Sequence, residues 1–207
     1  MGALPDDVLI IENFLDTPSL NRLVYYVEGE IGIVNKVDLS KSDGALVRKR
    51  VDAFYSERIH LLGIDALAKE ICWKIFGEVI PGYYGADIEW YEYPHVIRYR
   101  IGGTYKPHAD ADHWHPEKQQ WVRGVDRDYS AILYLNDEFE GGGLFFPEYD
   151  VRIIPKPGQL VCFPSDGKFV HTAEPVIKGN RYAFVTWAAA HGTVRVQDDI
   201  NIERVHL

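Results

Sequence analysis

The chain has 207 residues, 46% hydrophobic and 13% aromatic, which is enough apolar material for one well-buried domain and too little for two. A formal net charge of −9 removes the generic attraction to phosphate backbones, so nucleic acid is a poor partner class; no apolar run reaches the ~18 residues of a membrane span, so no membrane partner is expected. Two cysteines, Cys72 and Cys162, stand far apart in no metal-type spacing, which argues against a disulfide framework or zinc cluster and fits a reducing, cytoplasmic compartment. In chain order, residues 8–15 read as a short strand. Thr17 is then expected to cap a helix with Pro18 at its first position and Leu20, Leu23, Val24 and Val27 at helical spacing. Residues 31–50 show little periodicity and end in Arg48-Lys49-Arg50, the pattern of an exposed loop or of a lid over a substrate. A second helix is expected over residues 60–76, with Leu61, Ile64, Leu67, Ala68, Ile71 and Ile75 on its apolar face.

From Ile88 onward the chain becomes a succession of short β-prone runs: 96–101, 104–110, 129–136, 144–146, 151–155, 159–163, 169–176 and 182–190. Gly102-Gly103, Gly141-Gly142-Gly143, Pro157-Gly158 and Gly179-Asn180 separate them as turns. Many short strands divided by glycine and proline turns predict a sandwich or barrel. The Gly141–Gly143 run is no phosphate loop, because no Gly-Lys-Ser or Gly-Lys-Thr follows it and no helical pattern begins there.

His108-Ala109-Asp110 carries the chemistry. Residues i and i+2 of an extended strand point to one face, so His108 and Asp110 can reach a single ion while Ala109 points away. His171 lies in the apolar run Phe169 to Ala173 and can supply a third ligand from a neighbouring strand, and Arg181 opens the β-prone run after the Gly179-Asn180 turn. Two imidazoles and one carboxylate leave open positions on a non-haem Fe(II), and a later arginine can hold an acidic cosubstrate. Asp112, His113 and His115 crowd the same region; they lie further along the chain than the His108–Asp110 pair and read as a loop at the site's mouth.

The motifs 99–110, Leu133-Tyr134-Leu135-Asn136, Glu140 to Pro147, Pro157-Gly158, His171 and Gly179-Asn180-Arg181 together resemble the Fe(II)/2-oxoglutarate-dependent dioxygenases of the prolyl 4-hydroxylase type. The resemblance covers roughly the last 110 residues. It implies a mainly β fold, a double-stranded β-helix or jelly roll with flanking helices, as one domain: residues 1–87 as supporting helices and lid, 88–207 as core. It implies iron on His108, Asp110 and His171, and 2-oxoglutarate on Arg181 and Tyr99. Arg181 departs from the lysine usual in the nearest enzymes of that type, but a guanidinium can grip a carboxylate with two parallel hydrogen bonds. Tyr105, Arg127 and Trp187 match positions lining the peptide pocket, while Ala189 stands where some such enzymes carry a substrate-contacting histidine. A bland alternative places Arg127 in a surface ion pair with Asp126 or Asp128. The resemblance implies hydroxylation of a prolyl residue in a peptide or protein, with Fe(II), 2-oxoglutarate, O2 and supporting ascorbate, and conversion of 2-oxoglutarate to succinate. The retained carboxylate at Asp110 favours hydroxylation over halogenation. Alternatives are hydroxylation of a free amino acid or other small molecule, and a non-catalytic metal-binding module.

Overall fold

The computed structural model describes residues 2–34, 39–42, 45–48, 56–196 and 203–207. Two antiparallel sheets face each other. The larger one has nine strands, with Leu9–Ile11, Leu160–Pro164, Tyr129–Tyr134, Arg181–Ala190, His95–Tyr99, Ser56–His60 and Ile33–Val34 side by side in that order; Ile88–Glu92 and Arg204–His206 extend it beside the far half of Arg181–Ala190. The smaller sheet has the order Val151–Ile153, Leu144–Phe146, His171–Ala173, Tyr105–His108. This is one of the two architectures the strand pattern predicts, a sandwich, in the jelly-roll form that the family resemblance implies.

The long Arg181–Ala190 strand explains the layering. Its even members Tyr182, Phe184 and Ala188 belong to the core beneath the helices, whereas Ala183 and Val185 belong to the core between the sheets. Both faces are covered, so the strand reads as a nearly continuous buried run and not as an alternation. Tyr129–Tyr134 divides the same way, with Ala131 and Leu133 toward the helices and Ile132 and Tyr134 inward. Truncating a side chain as fully buried as Phe184 to alanine costs about 3–5 kcal/mol.

The helical layer differs in detail from the sequence pattern. The first helix spans Thr17–Gly29, but Asp16 caps it, its carboxylate accepting from the Ser19 amide and hydroxyl at 2.9 Å; Asp16 is the stronger acceptor and sits one residue earlier than the expected cap Thr17. The second helix begins at Asp65, not His60. Residues Ser56–His60 form a strand, and the regular helix Asp65–Trp73 runs on through a wider turn, Lys74–Val79, into Ile80–Tyr84, where Gly85 closes it at φ +68°. Only His60 of the expected helix is drawn into pairing with His95–Tyr99; Leu61 follows the strand and Leu62–Ile64 form a short 3-10 turn that leads into Asp65. Part of the 31–50 stretch lies outside the described residues, including Lys49 and Arg50; its described backbone contains an antiparallel hairpin, Leu39–Ser42 with Ala45–Arg48, where a loop was expected.

Candidate active site

Adjacent strands of the smaller sheet bring the two imidazoles together. His108 ends one strand, His171 begins its neighbour, and the two are direct register partners with ring centroids 4.4 Å apart. Asp110 lies in a bend just past the strand end, so the shared face expected of an unbroken strand is supplied instead by the turn that follows His108. The donor atoms of His108, Asp110 and His171 lie within 4.8 Å of one another; His108 Nε2 is 3.4 Å from Asp110 Oδ1 and His171 Nε2 is 3.7 Å from Oδ2.

The surroundings fix both tautomers. His108 Nδ1 is 2.8 Å from the Lys106 carbonyl and His171 Nδ1 is 3.0 Å from that of Phe169. A carbonyl only accepts, so each Nδ1 carries the proton and each Nε2 lone pair is free for a metal. Burial and the neighbouring His108 pull the His171 pKa down to about 4, which keeps that ring neutral. Burial pushes the Asp110 carboxyl up, but His171, His108 and Arg127 outweigh it and hold the group well below the usual carboxylate range. The Ser130 hydroxyl donates to Asp110 Oδ2 at 2.7 Å and shares a 2.7 Å bond with Ser165. These two buried serines orient a carboxylate that would otherwise rotate.

A cavity of about 710 Å³ opens over this face. Arg181, only 2% exposed, lies against Tyr99 and Tyr134, its guanidinium carbon 4.7 and 5.1 Å from the two ring centroids. One nitrogen makes a long 3.5 Å contact to the Tyr134 hydroxyl, while Nε and Nη1 are buried without a hydrogen-bond partner. Burial pushes the Tyr99 phenol up to about 12, so it remains a donor. Gly142 makes room for this arginine: at φ +63° it occupies the left-handed region, and a Cβ there would come within 2.8 Å of Arg181 Cδ. Lys178, the nearest alternative base in sequence, is 75% exposed and pairs with Glu140 at 3.0 Å.

Tyr105, Arg127 and Trp187 all line the cavity. The Tyr105 ring lies tilted at 51° to that of His108, with centroids 4.3 Å apart. Arg127 is not paired with Asp126 or Asp128. Its side chain meets Glu92 through two bonds of 2.5 and 2.8 Å, donates to the Asp110 carbonyl at 3.2 Å, and lies 3.8 Å over the Trp187 ring. Asp112, His113 and His115 fall on a β-hairpin, Asp112–His115 with Gln120–Arg123, instead of a loop. Asp112 is engaged by the Gly167 amide at 2.8 Å, and no metal-type cluster among the described residues includes any of the three. Sequence reasoning missed Glu92, Ser130 and Ser165, and also Arg58 and His95, which line the cavity. Only the alternation of Ser130 with Ile132 and Tyr134 along one inward face could have flagged any of them.

Residues 94–189 match the family described as the 2OG-Fe(II) oxygenase superfamily. Prolyl 3-hydroxylase 2 of Homo sapiens is 30% identical over 184 residues, 80% of this chain. The chain spans about a quarter of that relative's length, 26%. Among solved structures, the viral collagen prolyl hydroxylase of Paramecium Bursaria Chlorella virus-1, in complex with 2OG, superposes with a TM-score of 0.64 at 21% identity, covering 88% of this chain and 96% of that one. A Trichoplax adhaerens prolyl hydroxylase, in complex with a hypoxia inducible factor peptide fragment, gives 0.64 at 20% identity, covering 89% and 84%. At these identities the structural likeness establishes the fold.

Proposed function

We propose that the chain, whose residues 94–189 match the 2OG-Fe(II) oxygenase superfamily, binds Fe(II) and 2-oxoglutarate and hydroxylates a prolyl residue of a peptide or protein. The observation that carries this reading is a buried guanidinium with two unpartnered nitrogens in the same cavity as a His-Asp-His face. Buried N–H groups without partners are rare and costly, so the pocket is built for an anion.

The residues fit both groups. His108 and His171 would hold the metal through Nε2 and Asp110 through one carboxylate oxygen, leaving further positions open to exogenous ligands. Arg181 would take the distal carboxylate of 2-oxoglutarate with the Tyr99 hydroxyl beside it. When bound, Fe(II) with 2-oxoglutarate and O2 supplies the oxidising chemistry that inserts one oxygen atom into a substrate C–H bond, 2-oxoglutarate becoming succinate and CO2. The protein's own part is placement. Ser130 holds Asp110, the carbonyls of Lys106 and Phe169 hold the rings, and Tyr105 and Trp187 offer flat apolar walls suited to a pyrrolidine ring.

The human relative named above is a 3-hydroxylase, whereas the sequence motifs resemble the 4-hydroxylase type. Supplying Fe(II), ascorbate and 2-oxoglutarate with proline-rich peptides, then comparing the hydrolysed product with authentic 3- and 4-hydroxyproline, tests the reaction and reads the carbon. A gain of oxygen on proline supports the reading. Modification of a free amino acid alone would replace it by small-molecule hydroxylation.

A further inference from the structure

Three guanidinium groups line the cavity, and their partners differ. Arg181 lies among the buried tyrosines. Arg127 is neutralised by Glu92. Arg58 lines the same cavity, and its guanidinium makes no hydrogen bond or close ion pair among the described residues, Glu92 acting on it only through the longer-range field. Its place follows from register. Arg58 pairs with Ile97, so it shares a sheet face with Ile97 and with His95 and Tyr99 two residues to either side. The opposite face of these strands carries Ile59 and Val96 into the core beneath the helices. The cation therefore stands on the cavity side, between the Tyr99 end near Arg181 and the His95 end near Trp187.

Among the described residues, burial and Arg127 lower the Arg58 pKa and outweigh Glu92 and Tyr105, which act to raise it, so the guanidinium is left under-compensated. His95 is 7% exposed, its Nε2 is buried without a partner, and burial followed by Arg58, Arg127 and His60 holds its pKa well below the ordinary value. It is a neutral ring beside cations. Partial burial and then Arg127 depress the Arg58 pKa in the same way, although Arg58 keeps contact with solvent. Under the function proposed above, the distal carboxylate of 2-oxoglutarate goes to Arg181 and Asp110 faces the metal, so neither offsets Arg58. The protein's net charge of −9 repels acidic ligands at long range, which makes a cation at this rim a local selector and not part of a general basic surface.

We propose that Arg58 is a specificity-determining residue that receives a carboxylate of the substrate. The carboxylate is either an acidic side chain flanking the target prolyl residue or a terminal carboxylate next to it. This inference rests on the proposed function for the identity of the reacting residue, not for the preference for an anion.

Binding to protein loaded with Mn(II) and 2-oxoglutarate, without oxygen, tests it by calorimetry. Three ligand pairs differ only in carboxylate against carboxamide: a proline peptide with flanking Glu or Gln, a peptide ending in proline acid or proline amide, and proline or prolinamide. In the wild type one pair should favour the carboxylate about five- to twentyfold, as for a partly exposed charge-assisted bond. Arg58→Gln should erase that ratio with little effect on the neutral member, and Arg58→Glu should reverse it. The pair that responds identifies the source of the carboxylate. No preference in any pair, or a preference unchanged in Arg58→Gln, overturns the proposal. Melting temperatures and 2-oxoglutarate affinity equal to wild type in Arg58→Gln exclude misfolding. A preference that Arg58→Gln erases, without oxygen transfer to any proline once Fe(II) and O2 are supplied, sinks prolyl hydroxylation and leaves the anion subsite standing.

Discussion

Arg181→Ala is the most informative single change at the candidate site. In the wild type, two nitrogens of a guanidinium that is only 2% exposed have no protein partner. Each can donate one charge-assisted bond to a carboxylate, worth roughly 1.5–3 kcal/mol. Water entering the space left by the variant recovers part of this, so a net loss of about 2–5 kcal/mol is expected, on the order of thirty- to several-thousandfold in 2-oxoglutarate affinity. Anaerobic calorimetric titration of 2-oxoglutarate into the Fe(II) protein reads it directly. Arg181→Lys should fall between wild type and alanine, because an ammonium keeps the charge and loses the fork. Metal affinity should hold in both variants, since no metal-facing atom is touched. A second readout separates binding from folding: Arg181→Met removes the unsatisfied donors, so without 2-oxoglutarate it should melt no lower than wild type, and 2-oxoglutarate should raise the melting temperature only of the wild type. Unchanged 2-oxoglutarate affinity in Arg181→Ala would refute the assignment, and Lys178 could not be substituted for it, being on the surface in a pair with Glu140.

Ser130→Ala should weaken metal binding about 10–100-fold, as loss of an outer partner to a ligating carboxylate does, measured by Mn(II) titration; an unaltered constant would mean that Asp110 needs no orientation. Gly142→Ala places a Cβ against Arg181 Cδ at a positive φ, so it should lower stability by about 1–3 kcal/mol and loosen 2-oxoglutarate binding, both visible in thermal melts with and without the cosubstrate. His95 has a pKa depressed in the folded state, so its contribution to stability is fully present above about pH 6.5 and is lost as the pH falls below that value. His95→Gln should flatten this acid side of the stability curve in denaturant titrations, and a curve of unchanged slope would count against the burial argument. Arg127→Leu leaves Glu92 buried and unpaired, so it should destabilise the fold by about 3–5 kcal/mol as well as impair turnover, in contrast to the mild Arg58→Gln.

The strands of the sandwich were legible because short β-prone runs and glycine turns are local signals, and Leu144–Phe146 coincides with the expected run. The neighbourhood of His108 and His171 was legible because they lie on β-prone runs that pair, but Asp110 comes to them through the bend after the strand and not through the strand alternation its spacing suggested. What depended on distant partners was not. Ser56–His60 became a strand because His95–Tyr99 offered a ladder, Arg58 pairing with Ile97 39 residues away, and nothing local in those five residues signals it. Arg127 has carboxylates on both sides in sequence, yet its partner is Glu92, 35 residues back and brought near by the neighbouring strands. Asp112, His113 and His115 were read as a loop because they lie further along the chain than the His108–Asp110 pair; the hairpin they fall on is held by Asp112 on the Gly167 amide and by Trp121 against Gly167, contacts that exist only after folding. The 31–50 stretch as a lid rests in part on residues outside those described.

The central claim is that His108, Asp110, His171 and Arg181 hold iron and 2-oxoglutarate for oxygen transfer to proline. The most direct test is mass spectrometry of a proline-rich peptide incubated with the protein, Fe(II), ascorbate, 2-oxoglutarate and isotopically labelled O2, with succinate measured in the same tube. The account predicts one labelled oxygen on a prolyl residue, succinate formed in equal amount, and neither product with His171→Ala. Unlabelled proline with no succinate from well-folded, metal-loaded protein, across peptides and free proline alike, would contradict it.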